Sequence, residues 1–449
     1  MPKKAQRKHE SLAQINLHAA GLDIGAREIY VCVPAAQAEK PVRAFRTFTP
    51  DLYALADWLA ACAVETVAME STGVYWIPIY EILEARGFEV NLVNAQQLKH
   101  VPGKKSDLLD SQWIQQLHTY GLLRASFRPP GEICALRTLV RHRDNLLRYR
   151  AAHVQHMNKA LQQMNLKLTS VISDLTGRTG QDIIRAIIRG EHDPVLLAQY
   201  RDVRCRSSEE EIAKALTGNY RPEHLFALKQ AVDLYDYYNQ KLAECDQELD
   251  RVYATFDPVV DLEAQPLPAA KTYRKRKGNA LTFDARTYLY QISGVDLTAI
   301  DGIHVGLAQK IISEIGVDMT PWPTVKHFAS WLRLCPYREI SGGKVLRTKT
   351  QKTSNPATVA FRLAAQSASR SNSAIGAHYR RMKAKLGPSQ AIVATAHKIA
   401  RIVYTMLKTQ TPYLDMGAQA YDAQRRERAI KRLERKARKL GLLLAPSPA

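Results

Sequence analysis

The chain has 449 residues, 46% of them hydrophobic, with 64 Lys and Arg against 43 Asp and Glu, for a formal net charge of +21. That length allows two or three domains with sizeable cores, and that charge points to a polyanionic partner. No run of about 18 apolar residues occurs, which excludes a membrane-spanning helix and leaves an expected cytoplasmic protein without a membrane partner.

The basic start, MPKKAQRKHE, lacks an apolar stretch of the signal-peptide kind, so residues 1–17 read as a basic arm. The six cysteines are scattered with no C-x-x-C pair, as expected of reduced thiols. Residues 19–25 form a short apolar run that carries one acid, Asp23. Strands are predicted at 28–33 and 42–49, a helix at 51–62, and a strand at 65–70 ending on Glu70. A helix at 76–85, a strand at 88–93 and a helix from Ser106 to about 117 follow, with Ser106 as its cap. Three strands joined by short turns suggest an antiparallel meander, and the later helical crossovers suggest parallel pairing. The expectation is a mixed α/β sheet with helices on its faces, in the order of an RNase H-like domain spanning 18–130.

Asp23 inside an apolar strand is costly unless paired or bound to a cation. Glu70 ends a strand, where α/β sheets build their sites. Asp107 and Asp110, three apart, share one helix face. Hard cations such as Mg²⁺ take carboxylate and phosphate oxygens, and two ions about 4 Å apart are a common device for phosphodiester chemistry. The four acids therefore read as a metal set, although Asp107 and Asp110 also suit a solvated helix start. Lys99, His100, Lys104 and Lys105 precede that helix as phosphate contacts or as a solvated loop.

Residues 131–256 read as a helical coiled-coil region. Val140, Leu147, Val154 and Leu161 recur every seven residues, with Arg143 and Arg150 interrupting the companion register. Leu228, Tyr235, Leu242 and Leu249 hold a second heptad, with Asn239 and Asp246 in its other register. Two antiparallel arms result, serving dimerisation or packing on their own chain. His142, His153 and His156 do not converge on a metal-ligand pattern and read as surface or nucleic-acid contacts. Residues 257–288 are a Pro-rich basic linker. Gly302-Ile303-His304-Val305-Gly306 resembles a helix-hairpin-helix turn that grips a nucleic-acid backbone, or a plain turn between helices. The region 289–415 is mainly helical, and 416–449 is a basic helical tail. Within the former, Glu339-Ile340-Ser341-Gly342-Gly343-Lys344 sets a hydroxyl beside two glycines, followed by Arg347 and Lys352. Ser-Gly-Gly is common turn chemistry, and the same hydroxyl is placed to meet a phosphate.

Ala68-Met69-Glu70-Ser71-Thr72-Gly73-Val74-Tyr75-Trp76, Lys105-Ser106-Asp107-Leu108-Leu109-Asp110, and Phe328-Ala329-Ser330-Trp331-Leu332 leading to Cys335-Pro336 and Ser341-Gly342-Gly343 together resemble the IS110 family of insertion-sequence transposases. The resemblance covers about 18–165 and 290–413. It implies a RuvC-like domain with a DEDD set on Asp23, Glu70, Asp107 and Asp110, and a serine nucleophile at Ser341. It implies recombination of donor and target DNA guided by a bridge RNA, by dimers that join into tetramers. Arg333 stands where many members have glycine, and 351–355 departs from the usual run after the serine. Phosphoserine chemistry assisted by Mg²⁺ is the expected function. A metal-dependent nuclease of the Holliday-junction resolvase type, with Ser341 a bystander, and a non-catalytic nucleic-acid-binding protein are the alternatives.

Overall fold

The structure, a computed structural model, describes residues 13–71, 73–94, 107–270 and 278–443, without the side chains of Asp107, Leu108, Arg338 and Lys349. The described chain divides into two compact units, residues 1–128 and 129–449.

In the first unit, β1 (Ala19–Ile24), β2 (Glu28–Cys32), β3 (Val42–Arg46), β4 (Thr66–Glu70) and β5 (Glu89–Val93) form one sheet in the order β3-β2-β1-β4-β5. The β1–β2 and β2–β3 pairs are antiparallel, whereas β1–β4 and β4–β5 are parallel. The chain dictates this. A tight turn after β1 and a loop after β2 are too short for a parallel crossover, while the Thr49–Ala61 and Trp76–Ala85 helices supply the crossovers that parallel strands need. The Thr49–Ala61 helix buries Leu52, Leu55, Ala56 and Leu59, an i, i+3, i+4, i+7 stripe. That stripe packs with Leu22, Ile29, Val31, Val67, Met69, Ile79 and Leu83 in one core. Fully burying each such aliphatic side chain contributes roughly 1.5–3 kcal/mol. The opposite face of the sheet is closed by the Asp107–Thr119 helix, with Ile114 packed on Ala68 and Val93. The end of the expected basic arm is docked in this unit, since Ile15 and Asn16 donate backbone hydrogen bonds to the Thr119 carbonyl at 2.8 and 3.0 Å.

The second unit is helical apart from one hairpin. Two 33-residue helices, Gly131–Gln163 and Pro222–Ala254, run antiparallel along each other. The heptad interruptions meet across this seam. Arg143 donates through Nε to Asp246 Oδ1 at 2.5 Å, and Arg150 through Nη1 to Asn239 Oδ1 at 2.7 Å. Polar residues that look like defects in each helix alone thus satisfy one another. At one end, Met157, Leu161, Ile183, Ile187, Ile212 and Leu228 belong to a separate small core built with the short helices between 168 and 216. Residues 278–284, expected as linker, are tied down here. Thr282 N donates to Asp246 Oδ2 at 3.1 Å, and Leu281 is buried.

The rest of the unit runs through helices Ala285–Ser293, Val305–Ile315 and Val325–Trp331, the strands β6 (Pro336–Ser341) and β7 (Lys344–Thr350), and helices Pro356–Ala368, Ala374–Leu386, Pro388–Thr409 and Gly417–Lys439. Phe328, Phe361, Trp322 and Tyr404 form its aromatic centre. Among the described residues no helix is long and apolar enough to cross a membrane, and all six cysteines are free.

Candidate active site

The acidic face of the first unit follows from strand register. In the parallel β1–β4 pair, Gly21 lies beside Ala68 and Leu22 beside Met69. Continuing that register by one residue sets Asp23 beside Glu70, at the carboxyl ends of two neighbouring strands. Side chains alternate across a sheet. With Leu22 and Met69 in the core under the crossover helices, Asp23 and Glu70 project to the other face, and both are partly exposed there. The Asp107–Thr119 helix covers this face.

Its direction is fixed at two points. His118, near its end, reaches Thr66 at the start of β4, Nε2 to Oγ1 at 2.9 Å, and burial lowers the His118 pKa. At mid-helix the backbone crosses Gly21 so closely that an added Cβ there would lie 2.2 Å from Gln115 N and 2.5 Å from Ser111 O. The helix therefore runs opposite to β1 and β4, and its first turn, carrying Asp107 and Asp110, faces the strand ends that carry Asp23 and Glu70. Two smaller residues, Gly21 and Ala68, make this close seating possible.

The donor chemistry fits a hard divalent cation, since two register-matched carboxylates plus phosphate oxygens are an ordinary Mg²⁺ set. Among the described residues no group of three or more His, Cys, Asp or Glu side chains stands together as a closed metal cluster. The Asp107 side chain, like Lys104 and Lys105, Lys99, His100 and the Ser106 cap, lies outside the described residues.

Ser341 closes β6, and Lys344 opens β7 directly across from it. Between them Gly342 and Gly343 take φ of +53° and +79°, the two positive angles of a type I′ hairpin turn. Other residues adopt that pair of angles only with strain. The turn read from Ser-Gly-Gly is present, but the strands on either side were not foreseen in a region expected to be mainly helical. The signal was there: Gly-Gly between short runs containing Tyr337, Ile340 and Val345 is hairpin chemistry. Ser341, Lys344 and Arg347 are all exposed, and nothing lies within 4 Å of a Cβ built on either glycine. The hydroxyl thus sits at the tip of a projecting hairpin beside a cation.

Three other expectations take physical form. Arg333, standing where glycine is frequent, adopts φ +51° at the end of the Val325–Trp331 helix, a left-handed conformation that glycine reaches at less cost. Its Nη1 donates to the Lys352 carbonyl at 2.7 Å, tying the hairpin's exit to its entry. Gly302, at φ +96°, is packed against the Pro356–Ala368 helix, where a Cβ would meet Ala364 O at 2.2 Å. Its lack of a side chain serves helix packing. Gly306 lies in the first turn of the Val305–Ile315 helix, capped by His304, whose Nδ1 accepts from Leu307 N at 3.4 Å. His153 stacks on Tyr238 between the long helices, with its pKa lowered by burial and by neighbouring His156.

Two family models match the chain. A transposase model, DEDD_Tnp_IS110, matches residues 20–166, which begin in β1 and end just past the first long helix. The model of the transposase IS116/IS110/IS902 family matches residues 296–380, which include the Ser341 hairpin. No curated protein matches. The DEDD domain is RNase H-like, in keeping with the mixed sheet of the first unit. Both matches fall in chain order and together span just over half of the 449 residues. The chain belongs to the IS110 family of transposases, enzymes that act on DNA.

Proposed function

We propose that this transposase cuts and rejoins DNA through a covalent link to Ser341. The Ser341 oxygen attacks a backbone phosphorus, the serine O–P bond forms, and the bond from phosphorus to the departing sugar oxygen breaks. That oxygen takes up a proton as the serine gives one up to solvent. The reverse attack, by a hydroxyl of a different strand, restores the serine and seals a new DNA junction. Bond energy is conserved in the phosphoserine, so rejoining needs no external energy source. Lys344, the cross-strand neighbour of Ser341, and Arg347 neutralise phosphate oxygens during this exchange.

Asp23, Glu70, Asp107 and Asp110 are the residues proposed to hold a divalent cation, Mg²⁺ by preference, which supplies charge neutralisation at the phosphate. The observation that carries the reading is that one chain holds both two acids at the carboxyl ends of neighbouring strands and an exposed hydroxyl on a glycine-turned hairpin tip. In the same proposal, a bridge RNA selects donor and target DNA by base pairing, as guided systems do. Two dimers join into a tetramer, so that the acids of one subunit complete the serine site of another. The paired long helices are the dimerising arms.

The test is strand transfer with purified protein, its co-purified RNA and labelled DNA. Wild type should join strands only with a divalent cation, and Ser341→Ala should join none. Release of free 5′-phosphate ends by both proteins alike would show a metal-dependent nuclease instead.

A further inference from the structure

Apart from the residues of the proposed active site, four basic side chains gather around one aromatic ring. Tyr421, buried at the start of the Gly417–Lys439 helix, lies 4.2 Å under the Lys398 ammonium. Its hydroxyl meets His378 Nδ1 at 3.0 Å and accepts from Arg381 Nη2 at 3.5 Å. Arg425 follows one turn later on the same helix as Tyr421 and acts electrostatically on both His378 and Lys398. These residues come from three helices, Ala374–Leu386, Pro388–Thr409 and Gly417–Lys439.

The carboxylate that acts on Lys398 is Asp415, and its oxygens are already engaged. Oδ1 accepts from Ala374 N at 3.1 Å and Tyr413 OH at 3.0 Å, and Oδ2 from Gly417 N at 3.2 Å. Positive charge therefore exceeds negative in a half-buried setting, where Coulomb repulsion is weakly screened. Burial, then Arg381 and Arg425, push Lys398 down to about 8. Arg381 Nε is buried without a hydrogen-bond partner among the described residues. Lys398 also lines an adjoining open cavity of about 490 Å³, with Arg401, Thr405, Thr411 and Tyr413 on its wall. Lys398 is thus reachable from solvent, and Arg381, Arg425 and His378 are each half-buried.

We propose that Lys398, Arg381, Arg425 and His378 form a binding site for a backbone phosphate of nucleic acid, distinct from the phosphate undergoing reaction. A phosphate oxygen would supply the opposite charge that the cluster lacks and an acceptor for the buried Arg381 donor. The site positions the nucleic acid without reading its bases. It does not depend on the reading of Ser341, because it is tested by binding rather than strand transfer.

Lys398, the lysine held near 8, is the amine to follow by acetylation and mass spectrometry at pH 8 on the full chain. Duplex DNA, single-stranded RNA and inorganic phosphate are added separately. Protection by DNA or by RNA identifies the polymer whose phosphate is held. Protection by inorganic phosphate but by neither polymer overturns the proposal, as does no protection at all. In parallel, Lys398→Gln should weaken binding of the protecting polymer about tenfold and lower its salt slope by about one. Lys214→Gln, an exposed lysine on the short Glu209–Leu216 helix, should leave both unchanged. Equal effects from Lys398→Gln and Lys214→Gln would refute a built site. Should Lys398→Gln fail to fold, the protection experiment on the wild-type chain still decides.

Discussion

Gly21→Ala puts a single methyl group between the five-stranded sheet and the helix that carries two of the proposed acids. The new carbon would lie 2.2 Å from Gln115 N, 2.5 Å from Ser111 O and 2.7 Å from Gln115 Cα. All three are backbone atoms, so no rotamer change relieves the contact. Restoring van der Waals distance requires the Asp107–Thr119 helix to lift by about 1 Å. Overpacking of this kind costs about 1–3 kcal/mol, and the rigid neighbour places it at the upper end. The larger effect is on chemistry, because displacing catalytic groups by about 1 Å costs about 100-fold in rate. Gly131→Ala is the control, since that glycine has open space around it and an ordinary φ. The assay is strand transfer by the full chain, alongside amide hydrogen exchange over 107–119. Gly21→Ala should lose about two orders of magnitude in rate and speed exchange in that helix, and Gly131→Ala should do neither. Wild-type rate and exchange in Gly21→Ala would refute the docking geometry.

Other outcomes follow from the same structure. Asp246→Ala leaves Arg143 buried and unpaired, since their side chains are only 2% and 9% exposed, and should cost about 3–5 kcal/mol in urea unfolding. Arg143→Met with Asp246→Leu should recover most of that loss, and a double variant as unstable as the single one would contradict the pairing. His378 is lowered from 6.5 to about 4, first by burial, then by Lys398 and Arg381. The unfolded chain therefore binds the extra proton, so this residue's contribution to stability is full above 6.5 and is lost as pH falls towards 4. His378→Gln should flatten the melting-temperature profile across that window, and an unchanged slope would count against it. Replacing exposed Arg428, Arg432 and Arg435 by Gln should reduce the salt dependence of DNA binding. The slope should fall by about 0.9 for each phosphate that these arginines no longer neutralise, with no change in melting temperature.

The sheet was legible because its signals are local. Alternation, crossover length and an acid in an apolar run gave the antiparallel and parallel pairings and put Asp23 and Glu70 on the first and fourth strands, while the spatial order β3-β2-β1-β4-β5 came from the structure. The heptads were legible too, down to the polar positions that interrupt them. What the sequence did not reveal is which interruptions meet, because Arg143 with Asp246 and Arg150 with Asn239 are set by packing between segments about a hundred residues apart. Close passage of a helix over Gly21 is likewise tertiary, and nothing local marks it. The Ser341 hairpin was hidden differently. Its strands are exposed, so they bury no apolar face and leave little beyond the Gly-Gly turn as a signal. The cluster at Lys398 draws on three helices, and no single segment looks unusual.

The central claim is that Ser341 carries the covalent bond. Wild-type protein, stopped during strand transfer on labelled DNA and digested, should yield one nucleotide-bearing peptide. Mass spectrometry should place the nucleotide on Ser341 within Glu339-Ile340-Ser341-Gly342-Gly343-Lys344. Strand joining by Ser341→Ala at the wild-type rate, or a nucleotide attached to any other residue, would contradict the account.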